Sequence, residues 1–140
     1  MAHAGETFFT LVGCMDGRVQ EVVAAFGQQK FGARYPDTIT EAGLVGKLSF
    51  TNPSLLEAIK FKVVDVSIGK HHAKGVIVHG HSECAGNPVD DEQQKNDIRR
   101  SVEIIKSMVG STPVIGVFVH RSQEDSTHWV AEEVPQSFTA

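Results

Sequence analysis

Only two cysteines occur in these 140 residues, Cys14 and Cys84, too few for the disulfide framework that holds small secreted domains together. No apolar run approaches the roughly 20 residues that a membrane-spanning helix needs. The stretch Met1 to Glu6 has neither the charged nor the apolar part of an export signal. Positive charge is in deficit: 13 Lys and Arg stand against 17 Asp and Glu, a net charge of −4 that argues against a nucleic-acid face or a polybasic membrane patch. Internal repeats and low-complexity tracts are also missing. These absences lead us to expect a cytoplasmic protein with neither nucleic-acid nor membrane partners. In a reducing compartment its two cysteines suggest metal or thiol chemistry. With 41% of residues hydrophobic the chain can bury one core and little more, so one domain over 1–140 is expected.

What the sequence does contain is concentrated in two stretches. Gly75-Val76-Ile77-Val78-His79-Gly80 is an apolar run rich in β-branched residues, which reads as a buried parallel strand. It runs into His81-Ser82-Glu83-Cys84-Ala85-Gly86, so His81 and Cys84 are expected just past its carboxyl end. Phe8-Phe9-Thr10-Leu11-Val12-Gly13 is a second such strand and runs into Cys14-Met15-Asp16-Gly17-Arg18. If the two are parallel neighbours, both cysteines and His81 meet at the sheet edge where open α/β folds bind ligands.

The rest of the chain fits that scheme. Val19, Val22, Val23 and Phe26 recur at helical spacing and predict a helix from about 19 to 30. Gly32 and Pro36 punctuate the next segment, where 38–40 is a short strand candidate. Asn52-Pro53 is a helix start, with a capping amide and proline at the first helical position, and Leu55, Leu56, Ile59, Val63 and Val66 supply its buried face. His71 and His72 read as solvated residues of an exposed connection. A further helix carries Ile98, Val102, Ile105 and Met108, with Asp90 and Asp91 at its amino end and Gly110 as its stop. Pro113 to His120 is a third apolar strand, and Trp129-Val130 either pairs as an edge strand or covers a partner. This alternation predicts an α/β fold: a mostly parallel sheet of four to five strands with helices on both faces.

Two thiolates and one imidazole leave one position open on a tetrahedral zinc ion, the mark of a catalytic rather than a structural site. Asp16 stands two residues after Cys14, placed to receive a proton or to become a fourth ligand. Arg18 can hold that carboxylate in a bidentate pair. Each pattern alone is more ordinarily a buried cysteine, a core histidine or a surface ion pair. Two of them at the ends of two apolar strands favour a metal. A metal-free thiol enzyme ranks last, because Cys14 and Arg18 are too close together for a phosphatase loop.

Cys14-Met15-Asp16-Gly17-Arg18 followed by Gly80-His81-Ser82-Glu83-Cys84 resembles the β-class carbonic anhydrases, of which this would be a short, minimal member. The likeness extends to Glu41-Ala42-Gly43, to Ser54-Leu55-Leu56-Glu57-Ala58 and to the strand at 114–119. It implies Cys14, His81 and Cys84 as zinc ligands, and Asp16 and Arg18 as a catalytic dyad whose aspartate can displace metal-bound water. The implied activity is reversible hydration of carbon dioxide to bicarbonate by zinc-bound hydroxide, in a homodimer or higher homo-oligomer. Asp16 and nearby histidines are the candidates for the proton route, His79 and His120 less so because both lie on predicted strands. The chain departs from the pattern at Thr40 and Glu41, where the family commonly has Arg-Asn, at Gly17 and Ala85, and in its short amino-terminal segment. Two alternatives stay open: a zinc hydrolase of carbonyl sulfide or carbon disulfide, and a non-catalytic zinc-binding or regulatory homologue.

Overall fold

The computed structural model describes residues 2–50 and 52–136. Met1 and the end of the polar tail, 137–140, lie outside the described residues. In chain order the elements are β1 (Phe8–Cys14), α1 (Gly17–Phe31), β2 (Tyr35–Glu41), α2 (Leu44–Leu48), α3 (Pro53–Lys60) with a π-helical continuation (Phe61–Ile68), β3 (Val76–His81), α4 (Asp91–Val109), β4 (Val114–Arg121) and β5 (Trp129–Val134). They form a mixed α/β structure on one five-stranded sheet of order β2-β1-β3-β4-β5. Strands β2, β1, β3 and β4 run parallel, and β5 pairs antiparallel to β4 from Arg121 opposite Trp129 to Gly116 opposite Val134. Among the described residues no helix is long and apolar enough to cross a membrane.

The sheet separates two cores. On one face Val19 and Val23 of α1 pack with Phe9, Leu11, Ile77, Val117 and Val119. On the other, α2, α3 and α4 bring Leu44, Val45, Ile59, Val63, Ile98, Val102 and Ile105 against Val12, Val78 and Phe118. Covering both faces explains why β3 is apolar in unbroken succession: every one of its residues is buried. Strand β1 lies between β2, reached through α1 on one face, and β3, reached through α2 and α3 on the other. The chain thus passes to one side of β1 through α1 and crosses to its other side through α2 and α3, and the carboxyl end of β1 is where open α/β folds place a ligand crevice.

Local chemistry sets the helix ends. The Asp16 carboxylate accepts a hydrogen bond from the Arg18 backbone N–H at 2.9 Å and caps α1, which Gly32 ends in the left-handed conformation. The Asn52 side chain caps α3 by accepting from Leu55 N–H at 3.2 Å, and Asp90 caps α4 by accepting from Gln93 N–H at 2.8 Å.

Among the elements, β2, α2 and the helix from Pro53 differ from the sequence expectation, and α2 had no counterpart in it. The 38–40 strand candidate is a full strand, Tyr35–Glu41, because its inner edge pairs with β1 along its whole length while most of its side chains stay in solvent. That mixed polarity hides it from a periodicity reading. The helix from Pro53 widens after Lys60 into π turns, as in the bond from His71 N–H to Val66 carbonyl at 3.0 Å. Its buried positions are Ile59, Val63 and Ser67, four residues apart. Through these turns Ser67 stays buried and faces the sheet. There the Ser67 hydroxyl meets Thr10 Oγ1 at 2.6 Å and donates to Asp37 Oδ2 at 2.8 Å.

Candidate metal centre

Cys14 is the last residue of β1 and His81 the last residue of β3, so the strands' parallel pairing brings them to one edge of the crevice. His81 thus ends the strand rather than following it. Cys84 returns to the same point through a turn in which Glu83 adopts a φ of 58°, a left-handed conformation uncommon outside glycine. One ligand atom from each of Cys14, His81 and Cys84 lies within 4.8 Å of the others, and all three residues are buried. The two sulfurs are 3.7 Å apart.

The surroundings prepare these atoms for a cation. His81 Nδ1 sits 2.7 Å from the Ser82 carbonyl, which can only accept, so Nδ1 carries the hydrogen and Nε2 presents its lone pair. Nε2 is buried without a hydrogen-bond partner. Gly43 N–H points at Cys14 Sγ at 3.4 Å. Burial opposes ionisation of Cys14, but the His81 ring and the backbone N–H groups of Gly43 and Asp16 outweigh it and bring the thiol down to about 7. Cys84 moves the other way, raised by burial and by the negative sulfur of Cys14. Burial disfavours a charge on His81, yet the neighbouring Cys14 sulfur, the Ser82 carbonyl and the Asp16 carboxylate together raise its pKa. Two sulfurs and an orphaned imidazole nitrogen, buried together, fit a metal ion of zinc's softness and leave a position for a small ligand.

Asp16 and Arg18 form a pair beside this cluster. Arg18 donates from Nη2 to Asp16 Oδ2 at 2.7 Å and from Nε to Oδ1 at 3.1 Å. That hydrogen-bonded pairing holds the Asp16 carboxyl at about 2, against a desolvation effect that pushes upward. Oδ2 also lies 3.9 Å from His81 Nε2, so the carboxylate borders the space the three ligand atoms enclose.

Three residues around the pair had no part in the site as read from the sequence. Arg18 Nη2 donates to the Glu83 carbonyl at 3.2 Å, and the Arg18 guanidinium lies over the Trp129 ring at 4.8 Å. Arg121 lies over the same ring at 4.6 Å and donates to both Glu83 carboxylate oxygens, at 2.7 and 3.1 Å. Trp129 does begin an edge strand, so one of the two readings offered for it holds. The available signal was the carboxyl-end position of Arg121, on the same strand edge as the ligands.

The other histidines lie elsewhere. His79 is wholly buried beside Gly13, where burial holds it neutral with a pKa of about 3 and both ring nitrogens lack partners. His120 stacks on Phe118 and faces Glu132 at 3.5 Å. His71 is not the solvated residue expected: it stacks on Phe8 and bonds Asp37 at 2.8 Å. At the departure from the family pattern, Glu41 pairs with Lys47 at 3.2 Å and its carbonyl accepts from Met15 N–H.

A mostly parallel α/β sheet with a Cys–His–Cys donor set at the reversal of its strand order defines a class of proteins able to hold one metal ion in a crevice. Comparison with known proteins narrows that class. The family described as "Putative carbonic anhydrase" matches residues 4–134, nearly the whole chain, and the chain belongs to that family. The crystal structure of the β-carbonic anhydrase CafA of the fungal pathogen Aspergillus fumigatus has the same fold. It aligns with a TM-score of 0.59 at 14% identity, over 96% of this chain and 79% of that one. No curated protein matches the sequence.

Proposed function

We propose that this chain is a zinc-dependent carbonic anhydrase that interconverts carbon dioxide and bicarbonate. The observation that carries the reading is the buried triplet Cys14, His81 and Cys84, its ligand atoms within 4.8 Å of one another, with the Asp16 carboxylate at its border. Family membership and the β-carbonic anhydrase fold support it. Cys14 Sγ, Cys84 Sγ and His81 Nε2 would hold the ion, with Gly43 N–H and the Ser82 carbonyl as their outer supports. When bound, zinc supplies the Lewis acidity that makes water a nucleophile near neutral pH.

The remaining work falls to the chain's own groups. Asp16, kept anionic by Arg18, accepts a hydrogen bond from the attacking water at Oδ2 and fixes its orientation. Arg18 keeps that carboxylate turned to the side, so the position facing carbon dioxide stays open. With its carboxyl held at about 2, Asp16 orients the water as a hydrogen-bond acceptor and the proton goes to solvent. We also propose a homodimer that completes the crevice, supported by the exposed apolar side chains Met15, Tyr35, Phe50 and Phe61.

The test is stopped-flow carbon dioxide hydration with zinc determined on the same sample. About one zinc per chain, with hydration falling on the order of 100-fold or more in Asp16→Ala, is the expected result for loss of a positioned hydrogen-bond acceptor. Zinc without hydration at neutral or alkaline pH would move the reading to a sulfur analogue of carbon dioxide or to a binding role. A chain that takes up no zinc would overturn it.

A further inference from the structure

We infer that Trp129, Glu83 and Arg121 form a clamp that fixes the Arg18 guanidinium on Asp16, and so keeps the Asp16 carboxylate from turning into the space between Cys14, His81 and Cys84. The inference rests on the metal reading proposed above and adds positioning residues to it.

Geometry requires such a device. Asp16 Oδ2 is 3.9 Å from His81 Nε2, so a rotation of the carboxylate would bring it among the ligand atoms. What opposes the rotation is Arg18, a long side chain whose own side chain is 41% exposed and which, by itself, has many rotamers. Contacts from outside the Cys14–Arg18 segment restrict it. The Trp129 ring lies under its guanidinium at 4.8 Å, and the Glu83 carbonyl accepts from Nη2 at 3.2 Å. A Glu83 carboxylate oxygen stands 3.7 Å from Nη1. Arg121 in turn fixes Glu83 through two hydrogen bonds and lies over the same indole at 4.6 Å, while its Nη1 donates to the Ser126 carbonyl at 2.8 Å. Glu83 between two guanidiniums offsets their mutual repulsion. Its left-handed backbone, φ 58°, accompanies a carbonyl turned to Arg18 and a carboxylate turned to Arg121. Three elements, the turn after β3, the end of β4 and the start of β5, thus hold one guanidinium in place.

The clamp is tested on cobalt(II)-loaded protein, where azide taken up at the metal is read from the visible absorption. Trp129→Leu keeps the apolar packing but removes the π face. If it frees Arg18, Asp16 competes with azide, and azide affinity falls about tenfold, the size of effect a cation–π contact can supply. Trp129→Phe, which retains a π face, stays within about threefold of the unmodified protein. In an Asp16→Asn background the carboxylate is gone, and Trp129→Leu then changes nothing; this double-mutant cycle separates positioning from general damage. Arg121→Gln, on the partly exposed rim, shifts azide affinity in the same direction and carries the test if Trp129→Leu fails to fold. Unchanged azide affinity in Trp129→Leu, or an equal change with and without Asp16, overturns the clamp and leaves the metal reading standing. Failure of the unmodified protein to take up cobalt, seen as the absence of thiolate-to-cobalt absorption, overturns both.

Discussion

At the scale of single residues, the donor atoms depend on two glycines meeting. Gly43 has a φ of +61°, and a Cβ added there would lie 2.3 Å from the Gly86 carbonyl carbon. Gly43→Ala therefore combines a left-handed backbone with a collision against main chain, and also disturbs the N–H that faces Cys14 Sγ. The expected loss is about 2–4 kcal/mol of stability, measured as a shift in urea midpoint on the metal-free protein. A loss under about 1 kcal/mol would show that the 86–87 loop yields instead. The residues of the triplet were legible in the sequence because each ended or followed an apolar strand, and a polar ligand type in such a place is uncommon. Glu83, Arg121 and Trp129 were not legible: their roles depend on three strand ends coming together and on one turn residue at positive φ. His71 was misread for the same reason, since its partner Asp37 lies 34 positions away.

At the scale of elements, α1 and the dyad share a residue. Asp16 caps the helix through Arg18 N–H and holds the Arg18 side chain with the same carboxylate. Asp16→Ala should therefore lower stability by about 1 kcal/mol as a lost cap, whereas Asp16→Asn keeps an acceptor at the helix end and loses mainly the charge. The depressed carboxyl fixes the pH dependence. Its pKa in the folded chain is about 2 against an ordinary 3.8, so its contribution is fully present above the ordinary value and disappears as the pH falls from about 4 through about 2. Urea unfolding across that window should show the stability of the unmodified, metal-free protein converging on that of Asp16→Asn. Parallel curves would mean that Arg18 does not stabilise the charge. The strands β1, β3 and β4 and helices α1 and α4 were readable from periodicity and caps. The outer strand β2 was only partly so, because an exposed edge has no strong hydrophobic pattern, and the π turns before β3 leave no compositional mark.

At the scale of the whole molecule, among the described residues the sheet ends in β2 and β5, each with one unpaired edge. Phe50 and Phe61 are 75% and 58% exposed, a large apolar area for a chain that stands alone in water. The proposed dimer predicts twice the chain mass in light scattering at micromolar concentration. Phe61→Glu, placing a charge on that surface, is expected to shift the mass toward one chain. A single-chain mass for the unmodified protein would sink the assembly proposal without touching the metal site. The mostly parallel sheet was legible from the order of strand and helix signals, whereas the reversal of strand order beside β1 was not. The face on which each crossover runs emerges only once the two cores are seen.

Cys14 and Cys84 stand 70 positions apart, and everything between them, α1 through β3, must be laid down before their sulfurs meet. A donor set divided so widely cannot form locally in an unfolded chain, since closing that loop opposes it until β1 and β3 have paired. A metal ion held by Cys14, His81 and Cys84 would then be taken up after the sheet centre has assembled and would tie β1 to β3 without nucleating either.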